Sequence, residues 1–183
     1  DPRLTCPGVD ARPDQPMTDR LAIVGNGRMG RALVFALPDA QGPCGRGFDG
    51  AGFEAVLLAV PDSEVARAAA SIIGGPLVGH CAGALGLDVL APHEAFALHP
   101  LMTVTLAGAD FTGAGAATAG TTVRARAFAH QLAVELGMHP VEITDADRGA
   151  YHAAASIAPN FLVTLQDPAE TLLATTGADR RIA

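Results

Sequence analysis

The sequence predicts an α/β protein: a doubly wound parallel sheet followed by the start of an α-helical C-terminal domain. Three observations predict it. Short apolar runs recur, bounded by Gly or Pro and apolar on both faces, as in strands covered by helices on two sides. Segments of helical spacing alternate with these runs, the pattern of parallel strands joined by crossover helices. After residue 144 the strand pattern ends and helical spacing continues to the last residues.

The first strand is Leu21 to Gly25 (LAIVG), and Arg28 to Leu37 follows with helix spacing that stops at Pro38. Asp39 to Phe53 is rich in Gly and Pro, so any second strand there is short or irregular. Glu54 to Val60 (EAVLLAV) is the next clear strand. Pro61-Asp62 opens a helix to about Ile72, with Asp62 or Ser63 as its cap and Glu64 in the first turn. Pro76 to His80 and Ala95 to His99 read as further strands. Thr121 or Thr122 caps a helix that Gly137 ends and Pro140 follows. Val141 to Ile143 is a last short strand, and helix from Asp145 onward is interrupted at Pro159 and Pro168.

This order divides the chain into a disordered leader over 1–16, which carries four Pro and no periodicity, a folded α/β domain over 17–144, and the beginning of a helical domain over 145–183. The helical pattern stops without closing an element pair, so further C-terminal sequence is expected. Composition agrees with a folded chain: of 183 residues, 49% are apolar and 17% charged, which is enough apolar side chain for a core. The net charge of −7 argues against a nucleic-acid groove or an anionic membrane as partner. All 12 basic residues are Arg; without Lys there is no Schiff-base, P-loop or lysine general-acid chemistry. The three Cys (Cys6, Cys44, Cys81) lack C-x-x-C or zinc spacing, so no disulfide framework and no metal site is expected. There is no long apolar run and no signal-peptide pattern, and the expected setting is reduced and cytoplasmic.

The sharpest motif is Gly25-Asn26-Gly27-Arg28-Met29-Gly30, a G-x-G-x-x-G between the first strand and a helix. In that context each glycine has a task. Gly25 permits the turn, Gly27 leaves a pyrophosphate unobstructed, and Gly30 lets the helix approach the strand. Free N–H groups at the helix start face the diphosphate, aided by the helix dipole. The motif predicts a Rossmann domain that binds a dinucleotide. NAD sites place an acidic residue about 20 residues further on, whereas NADP sites often place an Arg there. Arg46 favours NADP; Asp49, just after it, leaves NAD as the alternative.

Val60-Pro61-Asp62, His80-Cys81-Ala82-Gly83 and His99-Pro100-Leu101 all leave strands at the carboxyl edge, where ligands bind in such sheets. Either His80 or His99 could serve as proton donor at neutral pH, or be a structural histidine at a strand end. Further on, Arg148, His152, Ser156, Asn160 and Thr164 recur every four residues, one polar stripe on an Ala-rich helix that faces either solvent or a cleft.

The segments "LAIVGNGRMGRAL", "AVLLAVPDSEVA", "VGHCAGALGLDVLAPH", "FALHPLMT" and "DADRGAYHAAASIAPNFLVTL" occur in this order. Together they resemble an uncharacterised Rossmann-like oxidoreductase family in which a dinucleotide-binding domain is followed by a C-terminal helical domain of unknown function. That family is related to pyrroline-5-carboxylate reductase, ketopantoate reductase and the F420-dependent NADP oxidoreductases. The resemblance spans about residues 19–176. It implies an NADP-type cofactor and a homodimer formed through the helical domain. It implies a cofactor held by Gly25, Gly27, Gly30, Val60 and Pro61. It also implies a cleft for a small-molecule substrate lined by His80, His99, His152 and Asn160.

The sequence departs from that pattern in four places. The stretch Leu37 to Gly42 is short for a full helix and second strand. Ala82 stands where relatives carry Ser, Pro159 sits inside a helix, and the resemblance leads one to expect most of the helical domain beyond about residue 183. The expected activity is hydride transfer between NADP and a small carbonyl or imine. The competing expectations are a non-catalytic dinucleotide-binding or sensing module and an inactive fragment of such an enzyme.

Overall fold

The computed structural model describes residues 17–144 and 146–176, apart from the side chains of residues 158–167, 169 and 174. Its centre is one seven-stranded sheet. The strands are β1 (Leu21–Val24), β2 (Gln41–Cys44), β3 (Ala55–Leu58), β4 (Leu77–His80), β5 (Ala95–Pro100), β6 (Gly115–Gly120) and β7 (His139–Glu142). They lie in the order β2-β1-β3-β4-β5-β6-β7. The first five run parallel; β6 is antiparallel to β5, and β7 is parallel to β6. This is a Rossmann-like α/β fold, as the sequence predicts.

The apolar runs are apolar on both faces because both faces are covered. In β1, Leu21 and Ile23 join one cluster while Ala22 and Val24 join the other; β3 and β5 divide in the same way. Helices α1 (Arg28–Ala36) and α3 (Val123–Glu135) contribute to the first cluster, and α2 (Val65–Ala69) to the second. Each fully buried Leu or Ile in these layers contributes roughly 1.5–3 kcal/mol relative to exposure. Both outer strands contain a proline, Pro43 in β2 and Pro140 in β7. Proline cannot donate to a ladder, so it belongs at an edge, and it also discourages further strand pairing there.

Several expectations need correction. The sheet is mostly rather than wholly parallel, because an additional strand, β6 (GAATAG), runs antiparallel to β5; Gly and Ala carry little strand propensity, and this strand forms through its pairing with β5 and β7. The short stretch after α1 does reach a second strand, since α1 ends at Ala36 and a tight turn delivers β2 at Gln41. The helix after Pro61 is shorter than predicted. It is a 3-10 turn over Asp62–Glu64 followed by α2, and neither Asp62 nor Ser63 caps it with a side chain. Thr122 does cap α3, accepting from the Ala125 N–H at 3.1 Å. Gly137 ends that segment at φ +73°, a conformation that favours glycine.

Helix α4 (Arg148–Ala174) is assigned continuously through Pro159 and Pro168. Each proline deletes one donor from the ladder without ending it, so the predicted interruptions are not seen. Cys44 is disulfide-bonded, which corrects the expectation of wholly reduced thiols; scattered spacing carries no signal for a single bridge. The chain divides into two compact units between Arg148 and Gly149. Among the described residues no helix is long and apolar enough to cross a membrane.

Candidate functional site

The glycine loop leaves the carboxyl end of β1 and enters α1. Gly25 sits at φ +120°, and a Cβ there would lie 2.3 Å from the Ala59 carbonyl oxygen. A Cβ on Gly30 would lie 1.8 Å from the Gly25 carbonyl oxygen. Both glycines are therefore required by close backbone packing. Gly27 differs: a Cβ there would meet nothing within 4 Å. It caps α1 through its backbone, with no side chain bonded to the first turn. The first N–H groups of a helix have no intrahelical acceptor. This open cradle at the positive end of a helix suits a diphosphate. Arg31 reaches back to bind Asn26 Oδ1 at 2.8 Å and fixes the outer side of the loop.

Three clefts border the loop; one lies between α1 and residues 105–110, and the other two run along the strand ends. The first of these two, of about 580 Å³, runs from Gly25, Asn26 and Gly27 to the turn after β2, where Arg46, Gly47 and Phe48 form a wall. Val60, Pro61 and α2 form the opposite wall, with Arg67 and Ser71 on it. The other cleft, of about 450 Å³, continues past Gly27, Arg28 and Met29 to Cys81, His99, Met102 and Thr103. Val60 and Pro61 border both clefts. The loop's six residues, Arg46, Val60, Pro61 and His99 are thus brought to one edge of the sheet by the ends of β1, β2, β3 and β5.

His80 takes a different position. It is fully buried at the end of β4. Its Nδ1 accepts from the Ala82 N–H at 3.2 Å, and its Nε2 lies 3.2 Å from the Gly86 carbonyl oxygen. The accepting Nδ1 places the proton on Nε2, which donates to Gly86. Burial holds its pKa below the usual histidine range; the nearby buried Arg148 adds to this, while the Gly86 bond and Asp62 oppose it. His80 therefore ties down the turn that carries Cys81 and Ala82. Desolvation pushes the Cys81 thiol up to about 12, so it is not a ready nucleophile. His99, half-buried, faces the second cleft.

His152 lies half-buried on α4, in the second unit. Asn160 lies on the same helix, with its side chain outside the described ones. Arg148, first in the polar stripe, is buried rather than solvated. Sequence reasoning missed Phe48, Arg67, Ser71, Met102 and Thr103 as lining residues. For Arg67 and Ser71 a signal existed: they follow Glu64 at steps of three and four residues, the spacing of one helix face. Among the described residues no cluster of three or more metal-ligating side chains occurs.

Known proteins resemble this chain mainly in fold. The family model described as a domain of unknown function, DUF2520, matches residues 119–183. No curated protein matches the chain by sequence. A provisionally assigned NADP oxidoreductase of Bacteroides fragilis superposes with a TM-score of 0.71 at 17% identity, covering 91% of this chain and 77% of its own. A Thermotoga maritima protein gives 0.68 at 21% identity, covering 87% and 71%. The pyrroline carboxylate reductase of Plasmodium falciparum, solved with NADP bound, gives 0.63 at 13% identity, covering 89% and 72%.

Proposed function

We propose that this chain is the dinucleotide-binding part of an NADP-dependent oxidoreductase that transfers hydride to or from a small carbonyl or imine. The observation that carries the proposal is the open cradle at Gly27, set between two clefts at the carboxyl edge. The neighbours' NADP chemistry and the pyrroline ring of one substrate name support it. In this reading the N–H groups at the start of α1 hold the diphosphate, Arg46 meets the adenosine side, and Val60 and Pro61 separate the two clefts. A bound nicotinamide supplies the redox chemistry. The second cleft is large enough for a small substrate, and Met29 and Met102 give it apolar walls that exclude water. His99 holds or accepts the proton at the substrate heteroatom, because it is the histidine that faces this cleft. His80 acts at one remove, by positioning the turn beside it. His152, Asn160 and a homodimer through the helical segment belong to the same proposal.

The test is a single variant. His99→Ala should reduce turnover by roughly 10²-fold or more while NADPH affinity stays nearly unchanged. Unaltered turnover would remove His99 from the mechanism. A second reading, a dinucleotide-binding module without chemistry, draws on Ala82, which has no hydroxyl, and on the inert Cys81 thiol. That reading predicts NADPH binding with no turnover of any carbonyl or imine in a substrate screen.

A further inference from the structure

The adenosine-side cleft has one feature that the glycine loop does not require: a cation on each wall. Arg46 projects from the turn after β2, and Arg67 from α2 on the far side. Arg46 forms no salt bridge among the described residues. Arg67 is paired with Glu64, three residues earlier on the same face, and that carboxylate also lines the cleft. The pair is exposed: the Arg67 side chain is 66% accessible. Ion pairs of this kind hold weakly and exchange readily for a better-charged partner. Ser71, one turn beyond Arg67, brings a hydroxyl to the same wall. The cleft thus carries two guanidinium groups against a single carboxylate, in a chain whose net charge is −7. A neutral ribose diol does not call for that excess of cations, whereas a dianionic phosphate does.

We infer that Arg67 is the second arm of a clamp for the adenosine 2′-phosphate, closed from the opposite wall by Arg46, and that Glu64 holds Arg67 while the clamp is empty. The inference rests on the dinucleotide reading above and deepens it, since Arg67 becomes a residue that discriminates NADP from NAD. Closure exchanges the Arg67–Glu64 pair for an Arg67–phosphate pair. Glu64 therefore opposes binding twice, as a competing partner and as a negative charge beside the phosphate.

The experiment is a calorimetric titration of the full chain and its variants with 2′,5′-ADP and with 5′-AMP, which differ in the 2′-phosphate alone. Arg67→Ala should weaken 2′,5′-ADP roughly tenfold, the loss of one charge-assisted bond, and leave 5′-AMP within about twofold. Arg67→Lys should restore part of the loss. Glu64→Gln should strengthen 2′,5′-ADP about two- to fivefold, with the gain shrinking as salt is raised. Equal weakening of both nucleotides by Arg67→Ala would make Arg67 a wall for the adenine and overturn the clamp. If Arg46→Ala abolishes the preference while Arg67→Ala leaves it intact, the cofactor reading stands and this inference falls. If the parent chain binds neither nucleotide, both fall together.

Discussion

Single glycines and histidines separate folding from binding in this site. Gly27 and Gly30 make the contrast directly. Gly30→Ala drives a methyl group into the Gly25 carbonyl and should lower stability by about 2 kcal/mol or more, read by denaturant unfolding. Gly27→Ala meets nothing, so it should unfold like the parent and yet bind NADPH at least about tenfold more weakly, because the methyl group occupies the phosphate's space. His80 supplies a pH signature. Burial depresses its folded pKa, so the unfolded chain binds that proton more tightly. The stability tied to neutral His80 is complete above its unfolded value of about 6.5 and is lost as pH falls from there towards the folded value. Melting temperature should therefore drop between about pH 7 and pH 5, and His80→Gln should flatten that drop. An unchanged slope in the variant would place the titration elsewhere.

At the level of elements, legibility follows burial and sequence contrast. Strands β1, β3, β4 and β5 are readable because both faces are buried, which forces runs such as LAIV and AVLL. The glycine loop is readable because Gly25 and Gly30 do steric work that no other residue can do, and Gly27 between them leaves the helix start open. Strand β6 is hidden because its GAATAG sequence owes its conformation to partners on both sides. Strand β2 is obscured by the edge proline that its position allows. The site is legible in the same proportion. Motif spacing points to the diphosphate cradle and to the two strand-end histidines. It does not tell a histidine with both nitrogens engaged inside its own turn from one that faces a cleft. That distinction between His80 and His99 depends on which backbone groups lie beside each ring. Arg67 is missed because Arg46, which lines the same cleft, is 21 positions earlier in the chain, brought near only by the closeness of β2, β1 and β3 in the sheet.

For the molecule as a whole, the sheet's carboxyl edge gathers loops from β1, β2, β3 and β5, so a ligand bound there ties together segments distant in sequence. A dinucleotide that binds only the folded chain should raise its stability by about 2.7 kcal/mol at a hundred times its dissociation constant. For a unit of this size that is a rise of roughly 5–10 °C in melting temperature. The shift should be larger with NADPH than with NADH at equal concentration. The most direct test of the central claim is calorimetric titration of the purified chain, shown to be folded, first with NADPH and then with NADH. The proposed NADP site predicts saturable NADPH binding at roughly micromolar concentration, with NADH at least about tenfold weaker. A folded chain that binds neither nucleotide would contradict the dinucleotide site, and the oxidoreductase reading with it.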